Sequence, residues 1–229
     1  MHLLSIAKDI QHSKLTITYM NESELTKKVD FEQYDYIIIS GGDGTIRRVL
    51  KEIHMHTLPP IILNPTGSFN VVAKLHSVPK IEEVLKLLAD GQRLNTQTQK
   101  IYQLNNEVFL FSAGNMGDLQ HIFLAETLRF GILKKGIGKY LLSVFFLFPV
   151  HLIMTAFMLM SPRRFFIFTP LSFIKKFGSF YGKVEEITID LNNEHNYIEL
   201  DGDIVAIEES ELHIRYIGDV NIISKIKHK

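Results

Sequence analysis

The sequence predicts an α/β protein, with an N-terminal lobe built on a parallel sheet and a mainly antiparallel β lobe after it. Three observations carry this reading. Two short apolar runs, "YDYIIIS" (34–40) and "PPIILN" (59–64), each lead into a glycine-bearing turn and then into helical spacing, the order of a strand–turn–helix unit repeated. From about residue 95 the texture changes to short alternating strands around polar turns, the mark of hairpins. The chain has 229 residues, 46% of them apolar, enough for one large core or two small ones. We therefore expect two domains, 1–95 and 96–229.

The first run reads as a strand buried on both faces, ending at Gly41. Past the turn, Ile46, Val49, Leu50 and Ile53 recur at helical spacing, with Thr45 as the expected N-cap. In the second unit "PTGS" is the turn and "FNVVAKLH" the helical stretch. A further helix, "KIEEVLKLLADG", carries the apolar residues Ile81, Val84, Leu85, Leu87 and Leu88 and ends at Gly91. In the second lobe "KIYQL-NN-EVFLFSAG" and "EEITIDL-NN-EHNYIEL" read as hairpins, followed by the strands "ELHIRYIG" and "VNIIS".

Composition narrows the function. Lys+Arg and Asp+Glu are equal at 25 each, so no global field draws the chain to nucleic acid. Without cysteine there are no disulfides or thiolate metal sites, and the ten histidines lack ligand spacing. The opening residues do not read as a signal peptide, which makes the cytoplasm the default location. One segment, 140–160, is almost wholly apolar between "KKGIGK" and "SPRR". Its length allows a buried helix running into a core strand, a membrane-docking surface or a span; Pro149 and His151 at its middle weigh against a span.

Two motifs carry candidate chemistry. In "GGDGT", Gly41, Gly42, Asp43, Gly44 and Thr45 let backbone amides converge on one concavity, with the positive end of the following helix behind them, which suits phosphate. Asp43 there either assists a magnesium ion or the nucleotide, or caps a helix with Thr45. Gly67 and Ser68 of "PTGS" occupy the matching place in the neighbouring unit. In "LDGD", Asp201 and Asp203 are either carboxylates for proton transfer or acceptors at a hairpin corner.

Taken in order, "GGDGT", the segment Pro65, Gly67, Ser68, Asn70, Ala73, Lys74 and Leu75, "NNEVFLFSAGNMGDLQ", "LKKGIGKYLL" and "IELDGD" resemble the diacylglycerol kinase-like lipid kinases. The likeness covers about residues 34 to 225. It implies ATP held between two domains, with magnesium, and transfer of the γ-phosphoryl group to a lipid hydroxyl, diacylglycerol or a related neutral lipid. It further implies that Gly41 to Arg47, with Ile46 among them, run along the phosphates, and that Ser68 replaces the usual threonine. Asp203 aligns with the family's glutamate base, one methylene longer, and Asp201 precedes it. The expected partners are a lipid substrate, an anionic membrane surface at the inner face, with Lys134, Lys135, Arg163 and Arg164 beside the apolar segment, and a second copy of the chain. The family's opening strand and Asn-Pro-x-Ser-Gly loop are not legible in "MHLLSIAKDI", so that strand is expected to be missing. An NAD kinase shares the "GGDGT" turn but not its companion motifs. A non-catalytic nucleotide- or lipid-binding relative is the alternative.

Overall fold

The computed structural model describes residues 1–25, 29–115, 165–169, 186–192 and 194–225. The N-terminal strands are β1 (His2–Ile6), β2 (Thr16–Met20), β3 (Tyr36–Gly41) and β4 (Ile61–Pro65). All are parallel to their neighbours, in the order β2-β1-β3-β4. Helix α1 (Asp43–Ile53) follows β3, and α2 (Val71–Leu75) and α3 (Ile81–Ala89) follow β4. These are the two strand–turn–helix units expected from the sequence.

The opening strand expected to be missing is present as β1. Leu3, Leu4 and Ile6 are buried in it, and it lies between β2 and β3. What the chain lacks is a helix between β1 and β2: residues 7–15 make the parallel connection alone, where a dozen or more residues and a helix are usual. That brevity hid both strands in the sequence.

Burial on both faces follows from the β3 run. Ile38 joins Leu3, Ile62, Ile223 and the inner face of α3, Val84, Leu85 and Leu88, in one cluster. Ile37 and Ile39 alternate to the other face and are equally buried. Each such side chain contributes about 1.5–3 kcal/mol on leaving water.

The same sheet continues through β5 (Asn95–Leu104), β6 (Glu107–Phe109) and the long β12 (Glu211–Ser224), in the order β4-β12-β5-β6. The expected strands "ELHIRYIG" and "VNIIS" are thus one strand, with a register shift between Tyr216 and Gly218. It pairs antiparallel with β5 from Ile214 to Ser224, and Ile222 lies level with Ile61 of β4 in parallel. The boundary expected near 95 shifts accordingly. One compact unit comprises Met1–Leu110 and the stretch from Ile214, the other Phe111–His213. Residue 95 marks a change of strand direction within one sheet, because β5 is zipped to β12 over its length.

In the second unit, β7 (Ser112–Gly114), β8 (Phe166–Phe168), β10 (Asn196–Leu200) and β11 (Asp203–Ile207) form an antiparallel sheet in the order β11-β10-β7-β8. Strand β9 (Glu186–Asp190) pairs with β12, whereas β10 pairs with β11 and β7. The expected hairpin across Asn192 therefore does not form. Among the described residues no helix is long and apolar enough to cross a membrane. The apolar segment 140–160, its flanking cations and "LKKGIGKYLL" lie outside the described residues.

Candidate functional site

In the first unit the two glycine turns touch. Strand β3 ends level with β4, Gly41 beside Pro65, and Thr66 N–H donates to the Gly41 carbonyl at 3.0 Å. A Cβ on Gly67 would stand 2.5 Å from Gly42 Cα, and one on Gly42 3.2 Å from Gly67 Cα. A Cβ on Gly41 would land on Thr45. These glycines are required first by turn-on-turn and turn-on-helix approach.

Asp43 fastens the turns together. It is buried, and its Oδ2 and Oδ1 accept from the amides of Val71 at 2.8 Å and Val72 at 3.0 Å. It thus caps the start of α2, in the neighbouring unit, rather than its own helix. The N-cap of α1 is Gly42, not Thr45. Asn70 braces the second turn: Gly67 N–H donates to its Oδ1 at 3.0 Å, its Nδ2 donates to the Gly67 carbonyl at 2.7 Å, and its own backbone is left-handed at φ 49°. Asparagine tolerates that conformation better than other non-glycine residues.

This scaffolding leaves a set of donors. The first intrahelical bond of α1 is Ile46 N–H to the Gly42 carbonyl, 3.0 Å, so the amides of Gly42, Asp43, Gly44 and Thr45 have no acceptor within the helix. They sit at the positive end of an 11-residue helix. Gly67 and Ser68 are exposed beside them, and the Ser68 hydroxyl has no hydrogen bond among the described residues. Convergent amides at a helix N-terminus, next to an exposed hydroxyl, suit a phosphate group.

Two expected phosphate contacts are placed otherwise. Ile46 is buried to 1% exposure, and its amide is spent inside the helix. Arg47 is buried, and its Nη1 donates to Glu107 Oε2 of β6 at 2.9 Å, while Lys51 Nζ reaches the other oxygen of Glu107. The guanidinium joins α1 to the β5–β6 hairpin. Glu107 was not singled out in the sequence; its place just after the Asn105–Asn106 turn is the only hint.

In the second unit Asp201 and Gly202 are the two central residues of the hairpin between β10 and β11, both at positive φ, 51° and 89°. That is the geometry of a type I′ turn, for which Asp-Gly is suited. Asp201, 2% exposed, accepts from the amides of Phe111 and Ser112 at 2.9 Å each. Its expected catalytic place is corrected to that of a turn anchor: a sequestered carboxylate holding two amides is not presented to a substrate. Glu199 completes the lock, accepting from Gly202 N–H at 2.5 Å and the Ser112 hydroxyl at 3.1 Å. Asp203 opens β11, half-buried, opposite Leu200.

Residues 4–101 match the family model of the diacylglycerol kinase catalytic domain. Over this stretch the chain is similar to the diacylglycerol kinase catalytic domain. A protein of Streptococcus pneumoniae serotype 4, provisionally named a lipid kinase, is 25% identical over 130 residues, 55% of this chain and 44% of the relative. The chain thus spans less than half the length of that relative. Two solved structures of a provisionally assigned diacylglycerol kinase from Bacillus anthracis share the fold at 16% identity. One has a TM-score of 0.56 over 100% of this chain and 98% of its own, the other 0.57 over 98% and 96%. The family match contains both glycine turns and α1 entire.

Proposed function

We propose that the protein is an ATP-dependent phosphotransferase whose acceptor is the hydroxyl of a neutral lipid, diacylglycerol first among them. The observation that carries this reading is the pair of interlocked turns, with the amides of Gly42 to Thr45 and the Ser68 hydroxyl left over from the scaffold within a family-matched stretch. These donors hold the phosphates of ATP, and the dipole of α1 stabilises the charge that builds on them. The lipid oxygen bonds to the γ-phosphorus, the bond from that phosphorus to the bridging oxygen of ADP breaks, and the hydroxyl proton passes to a carboxylate. Asp203 is our candidate for that base.

The described residues do not build a magnesium site. Both Asp43 oxygens accept amides, and no cluster of three His, Asp or Glu suited to a metal occurs among the described residues. The ion in this reading is the one a nucleoside triphosphate carries on its own phosphates. A bilayer-borne acceptor makes the protein peripheral to a membrane at its cytoplasmic face.

A second reading, a non-catalytic nucleotide-binding relative, is favoured by the short reach of Asp203 where the family carries glutamate. The test is transfer of label from γ-labelled ATP to a panel of lipid alcohols, with wild type and Asp203→Asn. Labelled phospholipid from wild type, reduced at least about 100-fold in the variant, supports the kinase. ATP binding with no transfer to any lipid supports the second reading.

A further inference from the structure

We infer that β2 is a self-association edge, pairing antiparallel with β2 of a second copy about a two-fold axis at Thr18. Strand β2 ends the order of the first sheet, and among the described residues only β1 pairs with it. Its sequence, "TITYM", holds no charge and no proline, and no bulge interrupts its register with β1. Edge strands are ordinarily blunted by such devices, and an unblunted one is a template for another strand.

The direction in which the backbone groups point fixes the register. Ala7 N–H donates to the Met20 carbonyl at 3.2 Å, so Met20 faces β1. Because successive residues of a strand present their N–H and C=O to alternate sides, Thr18 and Thr16 also face β1, while Ile17 and Tyr19 face outward. A two-fold axis at Thr18 sets Ile17 of one copy opposite Tyr19 of the other. Each such pair exchanges two hydrogen bonds, so every outward donor and acceptor of these residues finds a partner.

Charge selects the same arrangement. Lys14 lies four residues before Thr18 and Glu22 four after it. Lys14 is exposed and in no ion pair among the described residues; Glu22 has a partly exposed contact with Arg48 at 3.5 Å. The antiparallel register brings Lys14 of each copy toward Glu22 of the other, whereas a parallel one would oppose like charges. Tyr19, 44% exposed, adds apolar area to the seam.

The test is the mass of the full chain in solution, by light scattering and sedimentation over a wide concentration range. Tyr19→Pro removes an outward N–H that serves no internal bond, which an edge strand tolerates; circular dichroism matching wild type shows it folded. Wild type is expected to be dimeric, Tyr19→Pro monomeric, Lys14→Glu about 10-fold weaker in dimerisation, and Lys14→Glu with Glu22→Lys restored. A wild type that stays monomeric throughout, or a dimer indifferent to Tyr19→Pro, overturns the inference.

Discussion

Replacing Gly67 with alanine tests the interlock of the two turns. The new Cβ would stand 2.5 Å from Gly42 Cα, 2.8 Å from Asn70 Oδ1 and 3.3 Å from Gly42 N. Carbon atoms rest about 3.5–4.0 Å apart, so the turns must separate by roughly 1 Å. Two of the three obstructing atoms are backbone, and no rotamer change relieves them. The Thr66–Gly41 bond at 3.0 Å would stretch to the limit of a hydrogen bond, and the Asp43 bonds to Val71 and Val72 would share the displacement. Overpacking costs about 1–3 kcal/mol, and losing one bond to a charged group about 1.5–3 kcal/mol, giving about 2.5–6 kcal/mol together. Gly91→Ala is the control, since φ there is +72° with no atom within 4 Å of the added Cβ; its cost is about 1–2 kcal/mol for the left-handed backbone alone. Urea unfolding of the three proteins, read by far-ultraviolet circular dichroism, gives the comparison. A Gly67→Ala protein within about 0.5 kcal/mol of wild type would refute the reasoning, because that is the scatter of innocuous substitutions.

Other outcomes follow from the same geometry. Glu107→Gln strips the counter-charge from Arg47, whose side chain is 5% exposed, and should cost about 3 kcal/mol in the same unfolding assay; Arg48→Gln, at an exposed pair, should change little. Asp201→Ala leaves two buried amides without their acceptor and should cost about 2–5 kcal/mol. Asp201→Asn keeps an oxygen acceptor and suits the left-handed backbone, so it should lose much less. The Tyr102 phenol is raised above its ordinary value, by burial first and then by the charges of Asp219 and Tyr216. The fold favours its neutral form, so this contribution is complete below about pH 10 and lost as pH rises through the folded value. Alkaline unfolding midpoints of Tyr102→Phe and wild type should differ accordingly.

Much of the fold was legible because local and tertiary preferences agree in β3–α1 and β4–α2, where apolar runs, glycine turns and helical spacing point one way. Where they parted, the sequence misled. The β1–β2 connection has no helix to announce two parallel strands. The pair Asn192–Asn193 looks like a hairpin turn, yet β9 and β10 find different partners, since turn chemistry records local geometry and not which edge is available. At the candidate site, the glycines and Ser68 could be picked out by type and spacing, whereas Asp203 was singled out by the resemblance. The uses of Asp43 and Arg47 could not, because each depends on a partner remote in sequence, Val71 and Val72 for the one and Glu107 for the other; for Asp201 the hairpin-corner reading was available, but not that its partners are the amides of Phe111 and Ser112. Each of these three residues serves the scaffold of its own unit.

Recognition of phosphate by the α1 amides is the central claim, and calorimetric titration of the full chain with magnesium-ATP, ADP and adenosine tests it most directly. The account predicts saturable binding of ATP, weaker binding of ADP, and adenosine weaker than ADP by at least about 10-fold, or 1.4 kcal/mol. Adenosine binding as tightly as ATP, or no binding of any of the three, would contradict it.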